Sequence, residues 1–196
     1  MKIIILAAGR GERLMPLTRN TPKPLLDMGN GCTLIEEQIQ SIQESGVIQE
    51  IVLVIGYLAD QVEAKLQHFK NTGLSITTVY NPFYDVSNNL MSLWLAKHGM
   101  ETDFLITNGD NLFTPDVFSG IVGQDGDGIF LAVSRKTEYD PDDMKVTIDS
   151  GQVSLVNKQI EPEHAFAESP GLALVRGPRA RKLFSEILEE LARRPE

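Results

Sequence analysis

Apolar positions along the chain follow two rhythms. The first is unbroken: residues 2–8, KIIILAA, and 50–56, EIVLVIG, are apolar at nearly every position. An alternating strand is wet on one face, whereas a continuous apolar run suits a strand buried on both, as in a parallel sheet flanked by helices. Residues 74–80, LSITTVY, 103–111, DFLITNGDN, and 128–135, GIFLAVSR, read as a third, fourth and fifth strand, the fourth ending in a loop. The second rhythm is helical. Leu34, Ile35, Ile39 and Ile42 recur at helical spacing over 33–45, and Gly46 stops them. Val62, Leu66 and Phe69 mark a helix over 59–69. Residues 88–99, NNLMSLWLAKHG, predict a helix capped by Asn88 or Asn89 and closed by Gly99.

This alternation predicts an α/β fold: a Rossmann-like doubly wound, mixed but mainly parallel sheet with helices on both faces. After residue 135 the rhythm changes. The acidic turn YDPDD is followed by MKVTID and QVSLVNK, joined through Ser150-Gly151, which predicts a small β-hairpin insertion. Residues 167–177, AESPGLALVRG, read as one more strand, with Pro170 marking an edge or bulge. Leu183, Phe184, Ile187, Leu188 and Leu191 give a final amphipathic helix over 178–193. No linker or repeat divides the 196 residues, which fits a single domain over 1–196.

Charge narrows the function. The net charge is −9, yet Lys2, Arg10, Arg13, Arg19 and Lys23 meet only Glu12 in the first 24 residues. Five cations against one acid leave the remaining chain at −13. So acidic a protein is a poor general binder of nucleic acid, and a local basic focus in it points to a small anion. No stretch approaches the ~20 apolar residues of a membrane span, so no membrane partner is expected. One cysteine, Cys32, excludes an internal disulfide, as expected of a cytoplasmic protein. His68, His98 and His164 lack ligand spacing, and no oligomeric state can be read.

The cations surround glycines that follow the first strand, in LAAGRGERLMPLTRNTPKPLL at 6–26. Glycines let the backbone approach a phosphate and present consecutive N–H groups to it. The third glycine of a dinucleotide motif is absent, and so is P-loop spacing. Pro16 and Pro22 stiffen the loop, which can hold Arg13 and Lys23 at fixed separation. Fixed cations beside a backbone nest suit a triphosphate whose leaving pyrophosphate gains charge. Arg19 reads as a solvated surface cation, and Arg10 stands between that and a part in the loop.

Gly9-x-Gly11-x-Arg13-x-x-Pro16-x-Thr18-x-x-x-Pro22-Lys23 resembles, at every position, the signature of the sugar-phosphate and choline-phosphate nucleotidyltransferases. The resemblance implies that Leu6, Ala7, Ala8, Gly9 and Gly11 line a nucleotide, with Arg13 and Lys23 as catalytic residues on its phosphates. Asp110, at the carboxyl end of the fourth strand, is where open α/β sheets gather ligands, although Gly109-Asp110-Asn111 taken alone is equally a turn. Beside the N-terminal loop it resembles the family's metal position, which implies Mg²⁺ on Asp110. The Asn-Asn-x-x-Ser-Leu element at 88–93 resembles the branch that includes CTP:phosphocholine cytidylyltransferases. That branch implies Asn81, Asn89 and Ser92 as base contacts.

Lys145 and Lys158, one on each strand of the predicted hairpin, resemble the same branch's acceptor lysines, and Glu168-Ser169-x-Gly171 one of its further elements. Tyr84, Trp94, Tyr139 and Phe166 are the aromatic residues available for a quaternary amine, with Trp94 fitting the core better. The family implies an NTP, CTP favoured, and a small phosphate or phosphonate acceptor such as phosphocholine or an aminophosphonate. A sugar-1-phosphate uridylyl- or thymidylyltransferase and a non-catalytic nucleotide-binding regulator are the alternatives. Family members carry a further acidic residue beyond the last helix. No equivalent follows residue 178, and Glu186, Glu189 and Glu190 read as that helix's solvent face, so the family's C-terminal segment is expected to be missing.

Overall fold

The computed structural model describes residues 1–69 and 73–194. Six strands form the main sheet: β1 (Lys2–Leu6), β2 (Glu50–Ile55), β3 (Ser75–Tyr80), β4 (Phe104–Asn108), β5 (Gly128–Leu131) and β9 (Leu172–Arg176), in the order β3-β2-β1-β4-β9-β5. The first four are parallel, with Ile3 beside Ile51 and Leu105. β9 runs antiparallel between β4 and β5. This is the mixed, mainly parallel α/β fold expected from the chain.

The continuous apolar runs divide between two cores because successive strand side chains point to opposite faces. Ile3 and Ile5 of β1 join Ile51, Leu53 and Ile55 of β2 under α1 (Leu34–Ser45), α2 (Ala59–Leu66) and α4 (Pro115–Val122). Ile4, Val52, Val54 and Phe104 face the other way, under α3 (Asn89–Leu95) and α5 (Pro178–Ala192). α1 starts on a capping box in which Thr33 and Glu36 bond reciprocally, and it ends where Gly46 turns left-handed at φ 67°. Burial alone would raise the Glu36 carboxyl, but bonds from Lys65 and Thr33 outweigh it and hold the pKa at about 2.

Three elements differ from the sequence expectation. α4 was not expected; Thr114-Pro115 opens it, Pro115 standing where the helix needs no N–H donor. The run 167–177 is not one strand. Gly171, at φ +83°, breaks it into β8 (Ala167–Glu168) and β9, which lie in different sheets. In α5, Ala180 and Leu188 are buried and Phe184 packs on Phe104, whereas Leu183, Ile187 and Leu191 keep 39–51% of their surface. The apolar stripe of α5 is wider than the sheet face that receives it.

The expected hairpin is present as β6 (Lys145–Asp149) and β7 (Gln152–Asn157), and β8 completes a three-stranded sheet in the order β7-β6-β8. No helix among the described residues is long and apolar enough to cross a membrane.

Candidate active site

The carboxyl ends of β1 and β4 open into a cavity of about 290 Å³. Leu6, Ala7, Gly9, Gly11, Arg13 and Lys23 line one side, and Asn89, Asn108, Gly109 and Asp110 the other. The two walls meet closely. The Gly109 amide donates to the Leu6 carbonyl at 2.7 Å, and a Cβ at Gly109 would lie 2.5 Å from that of Ala7. Only glycine lets the Asp110 turn approach the nucleotide loop this far.

The loop after β1 is shaped by specific bonds. Gly11 turns left-handed at φ 67°, and its carbonyl accepts from the Leu14 amide and from the fully buried Thr18 hydroxyl, each at 2.9 Å. Tyr57 Oη donates to the Arg19 carbonyl at 2.5 Å, and Gln61 Nε2 to that of Asn20 at 3.2 Å. Pro22 and Pro24 are buried. Stiffness thus comes from side chains of the next α/β unit as well as from proline. A Cβ on Gly9 would meet nothing within 4 Å, so the missing side chain leaves open space for a ligand.

Arg13 stands exposed on the cavity wall, with no interaction partner among the described residues. Lys23 Nζ lies 2.6 Å from Asp110 Oδ2. Arg10 turns aside: its guanidinium pairs with Asp85 at 2.8 Å, which raises its pKa further, and lies 5.3 Å from the Tyr57 ring centre. Ala8 is buried in the core beneath α3, and its carbonyl accepts from the Tyr57 amide at 2.9 Å. Its neighbours Leu6, Ala7 and Gly9 line the cavity.

Asn88 accepts from the Leu90 amide and caps α3, which frees Asn89 to line the cavity; Asn89 Nδ2 donates to Asn108 Oδ1 at 3.2 Å. Asn81 and Ser92 are placed differently from the expectation. Both are buried and bond each other at 2.9 Å, and Asn81 Oδ1 accepts from the Phe83 amide. They fasten the 81–88 loop to α3 and do not line the cavity.

The residues expected at the acceptor are likewise already engaged. Lys145 is 2% exposed, and its Nζ donates to the Asp140 carbonyl at 3.1 Å. Burial of its ammonium is satisfied by the acidic turn, contrary to a lysine presented to a ligand. Lys158 pairs on the surface with Asp142 at 3.2 Å. Glu168 faces Lys145 in strand register but pairs with Lys136 at 2.6 Å. Glu168 and Asp143 together raise the Lys136 pKa. No two of the four aromatic candidates lie ring to ring among the described residues. Tyr84 instead neighbours Tyr57, Trp94 lies under Lys97, and Phe166 under Arg135.

Sequence reasoning missed Gln38, Tyr57, Gln61, Asn108 and Lys136. Gln38 is buried in α1, and its Nε2 holds the Asn111 carbonyl at 2.8 Å. Asn111 Nδ2 in turn reaches the Pro170 carbonyl at 2.7 Å, so the Asp110 turn is tied to the linker before β9. Only the buried polar side chain in an otherwise apolar helix face hinted at Gln38.

No group of three or more acidic, histidine or cysteine side chains able to hold a metal occurs among the described residues. Asp110 is the one carboxylate among the residues that line the cavity, with the side-chain carbonyl of Asn108 on the same wall. That donor set fits Mg²⁺, which keeps waters and is held by one or two carboxylates plus substrate phosphates.

Comparisons with known proteins give the family and the fold. Residues 2–124 match the family model described as nucleotidyl transferase. The choline-phosphate cytidylyltransferase of Streptococcus pneumoniae is 39% identical over 113 residues, covering 58% of this chain and 46% of that protein. The bifunctional protein GlmU of Methanococcus aeolicus is 31% identical over 164 residues, covering 84% and 37%. The chain thus spans less than half the length of these curated relatives. Among solved structures, the inositol-1-phosphate CTP transferase of T. maritima superposes with TM-score 0.75 at 24% identity, over 97% of this chain and 81% of that one, a likeness of fold. The S. pneumoniae CTP:phosphocholine cytidylyltransferase superposes with TM-score 0.68 at 25% identity, over 97% and 77%. The chain belongs to the nucleotidyl transferase family.

Proposed function

We propose that this protein transfers CMP from CTP to a small phosphate or phosphonate acceptor, releasing pyrophosphate. The observation that carries the reading is convergence: Gly9, Gly11, Arg13, Lys23, Asn89 and Asp110 meet on one cavity although they come from three separate segments, the loop after β1, α3 and the turn after β4. An anionic acceptor oxygen attacks the α-phosphorus in line, and the bond to pyrophosphate breaks. No general base is required, because the attacking oxygen already carries charge. Arg13 and Lys23 take up the charge that develops on the leaving pyrophosphate. The Gly9–Gly11 backbone orients the tail, and Asn89 reaches toward the base.

Asp110 would hold Mg²⁺, whose chemistry is to neutralise phosphate charge in the transition state. The acceptor side is assigned to the segment before β9, where Glu168, paired with Lys136, precedes by two residues the Pro170 carbonyl that Asn111 holds. Cytosine is favoured by the named activities of the choline-phosphate and 2-aminoethylphosphonate cytidylyltransferases among the relatives.

Pyrophosphate release with CTP, Mg²⁺ and a panel of phosphorylated and phosphonate acceptors tests this. Release with at least one acceptor is expected. Tight CTP binding without release under every acceptor would instead make the protein a nucleotide-binding regulator. A sugar-1-phosphate uridylyl- or thymidylyltransferase is the second reading. Competition among CTP, UTP and dTTP separates the two.

A further inference from the structure

Lys23 and Asp110 are assigned to different ligands, the lysine to phosphate and the carboxylate to a divalent cation. In the structure they hold each other at 2.6 Å, on the wall of the same cavity. Each comes from a fixed piece of backbone. Lys23 opens a short turn closed by the Leu25 amide on the Pro22 carbonyl, and Asp110 follows the tightly packed Gly109. The contact therefore joins two independently positioned groups that are 87 residues apart.

This pair alters what Asp110 can do alone. A divalent cation at the cavity must displace the Lys23 ammonium or be repelled by it, and Asp110 is the one carboxylate among the residues that line the cavity. A polyphosphate reverses the balance. Its oxygens offer Nζ a new partner, which releases Asp110, and they also supply the missing cation ligands.

We propose that Lys23 has two stations: on Asp110 in the free protein, and on the polyphosphate once nucleotide enters. Asp110 thereby accepts a divalent cation together with nucleotide and resists it alone. The proposal rests on the functional reading above, in which Asp110 is the cation ligand and Lys23 a phosphate contact. It separates from that reading by the sign of one effect. If Lys23 merely bound phosphate, removing it would leave the affinity of the nucleotide-free protein for the cation unchanged. If Lys23 also occupies Asp110, removing it tightens cation binding while weakening nucleotide binding.

The test is a titration of nucleotide-free protein with Mn²⁺, reading unbound Mn²⁺ by electron paramagnetic resonance. Wild type, Lys23→Met, Asp110→Asn and the double variant are compared, each first checked for a cooperative thermal transition without metal. Lys23→Met is expected to bind Mn²⁺ roughly fivefold more tightly than wild type, the scale of a half-exposed ion pair. The double variant is expected to lose that gain. Unchanged or weaker binding by Lys23→Met, with binding lost in Asp110→Asn, overturns the two-station proposal and leaves Asp110 as ligand. Equal binding by all four proteins overturns Asp110 as ligand, and the proposal with it. Should Lys23→Met fail to fold, Lys23→Gln carries the same expectation.

Discussion

The nucleotide loop and the small three-stranded sheet both carry cations that the chain's pattern marks for ligands, but the two regions use them differently. In the loop, Arg13 and Lys23 face a shared cavity, and the groups that order the backbone are others: Thr18, Tyr57 and Gln61. In and beside the small sheet, Lys145 and Lys158 are each closed off by a carbonyl or acid of their own neighbourhood. The difference follows from architecture. Loops at the carboxyl ends of parallel strands inherit a rigid frame, so Arg13 is left for a ligand and Lys23 pairs within the cavity itself, on Asp110. A small inserted sheet must order itself, and its lysines are drawn into that work.

The comparison is sharpened most at Asp110. Asp110→Asn is expected to slow pyrophosphate release by roughly a thousandfold, the upper range for losing one charge-stabilising group. Retention of a tenth of the rate would move the centre of the chemistry elsewhere. Arg13→Ala should lose about 3 kcal/mol of transition-state stabilisation, roughly a hundredfold in rate. A change below threefold would remove Arg13 from the mechanism.

In the small sheet the expected effects turn from rate to stability. Lys145→Ala removes a buried stem and should destabilise the fold by about 2–3 kcal/mol in urea unfolding, with the rate per folded molecule unchanged within threefold. A normal unfolding curve with a raised acceptor KM would show instead that Lys145 serves the ligand. Lys158→Ala, on the surface beside Asp142, should change neither quantity more than twofold.

The frame behind the loop makes a pH prediction. Glu36, which caps α1, has its folded pKa lowered to about 2 from 4.5. Its contribution is complete above about pH 4.5 and is lost as pH falls toward 2, because the unfolded chain binds the proton first. Unfolding midpoints between pH 5 and pH 2 should fall less steeply for Glu36→Gln than for wild type. Equal slopes would place the acid sensitivity elsewhere.

How much of this was legible depended on distance along the chain. β1, β2 and the GxGxR loop were legible because their signals are contiguous: an apolar run buried on both faces, and glycines and cations at fixed spacing. α4 was missed because it spans only eight residues and holds Pro115 and Gly120, which read as breakers in a sequence. The insertion of β9 between β4 and β5 is a pairing between residues some 70 apart, which no local pattern encodes. The same holds at the site. Asn89 was picked out by its motif, while Asn108, its partner, and Gln38, which holds the Asp110 turn, act through contacts 19 and 73 residues apart. Asn81 and Ser92 were read as base contacts from the resemblance of their motif, and a motif carries no mark of whether its polar side chains will bond each other.

The central claim is that the Gly9–Lys23 loop and Asp110 together hold the polyphosphate of a nucleotide. A crystal structure of the protein with CTP and Mg²⁺ tests it most directly. The account predicts the phosphates between Gly9, Gly11 and Arg13, with Lys23 Nζ moved from Asp110 onto a phosphate oxygen. Phosphates bound elsewhere, with the Lys23–Asp110 pair closed and the cavity vacant, would contradict it.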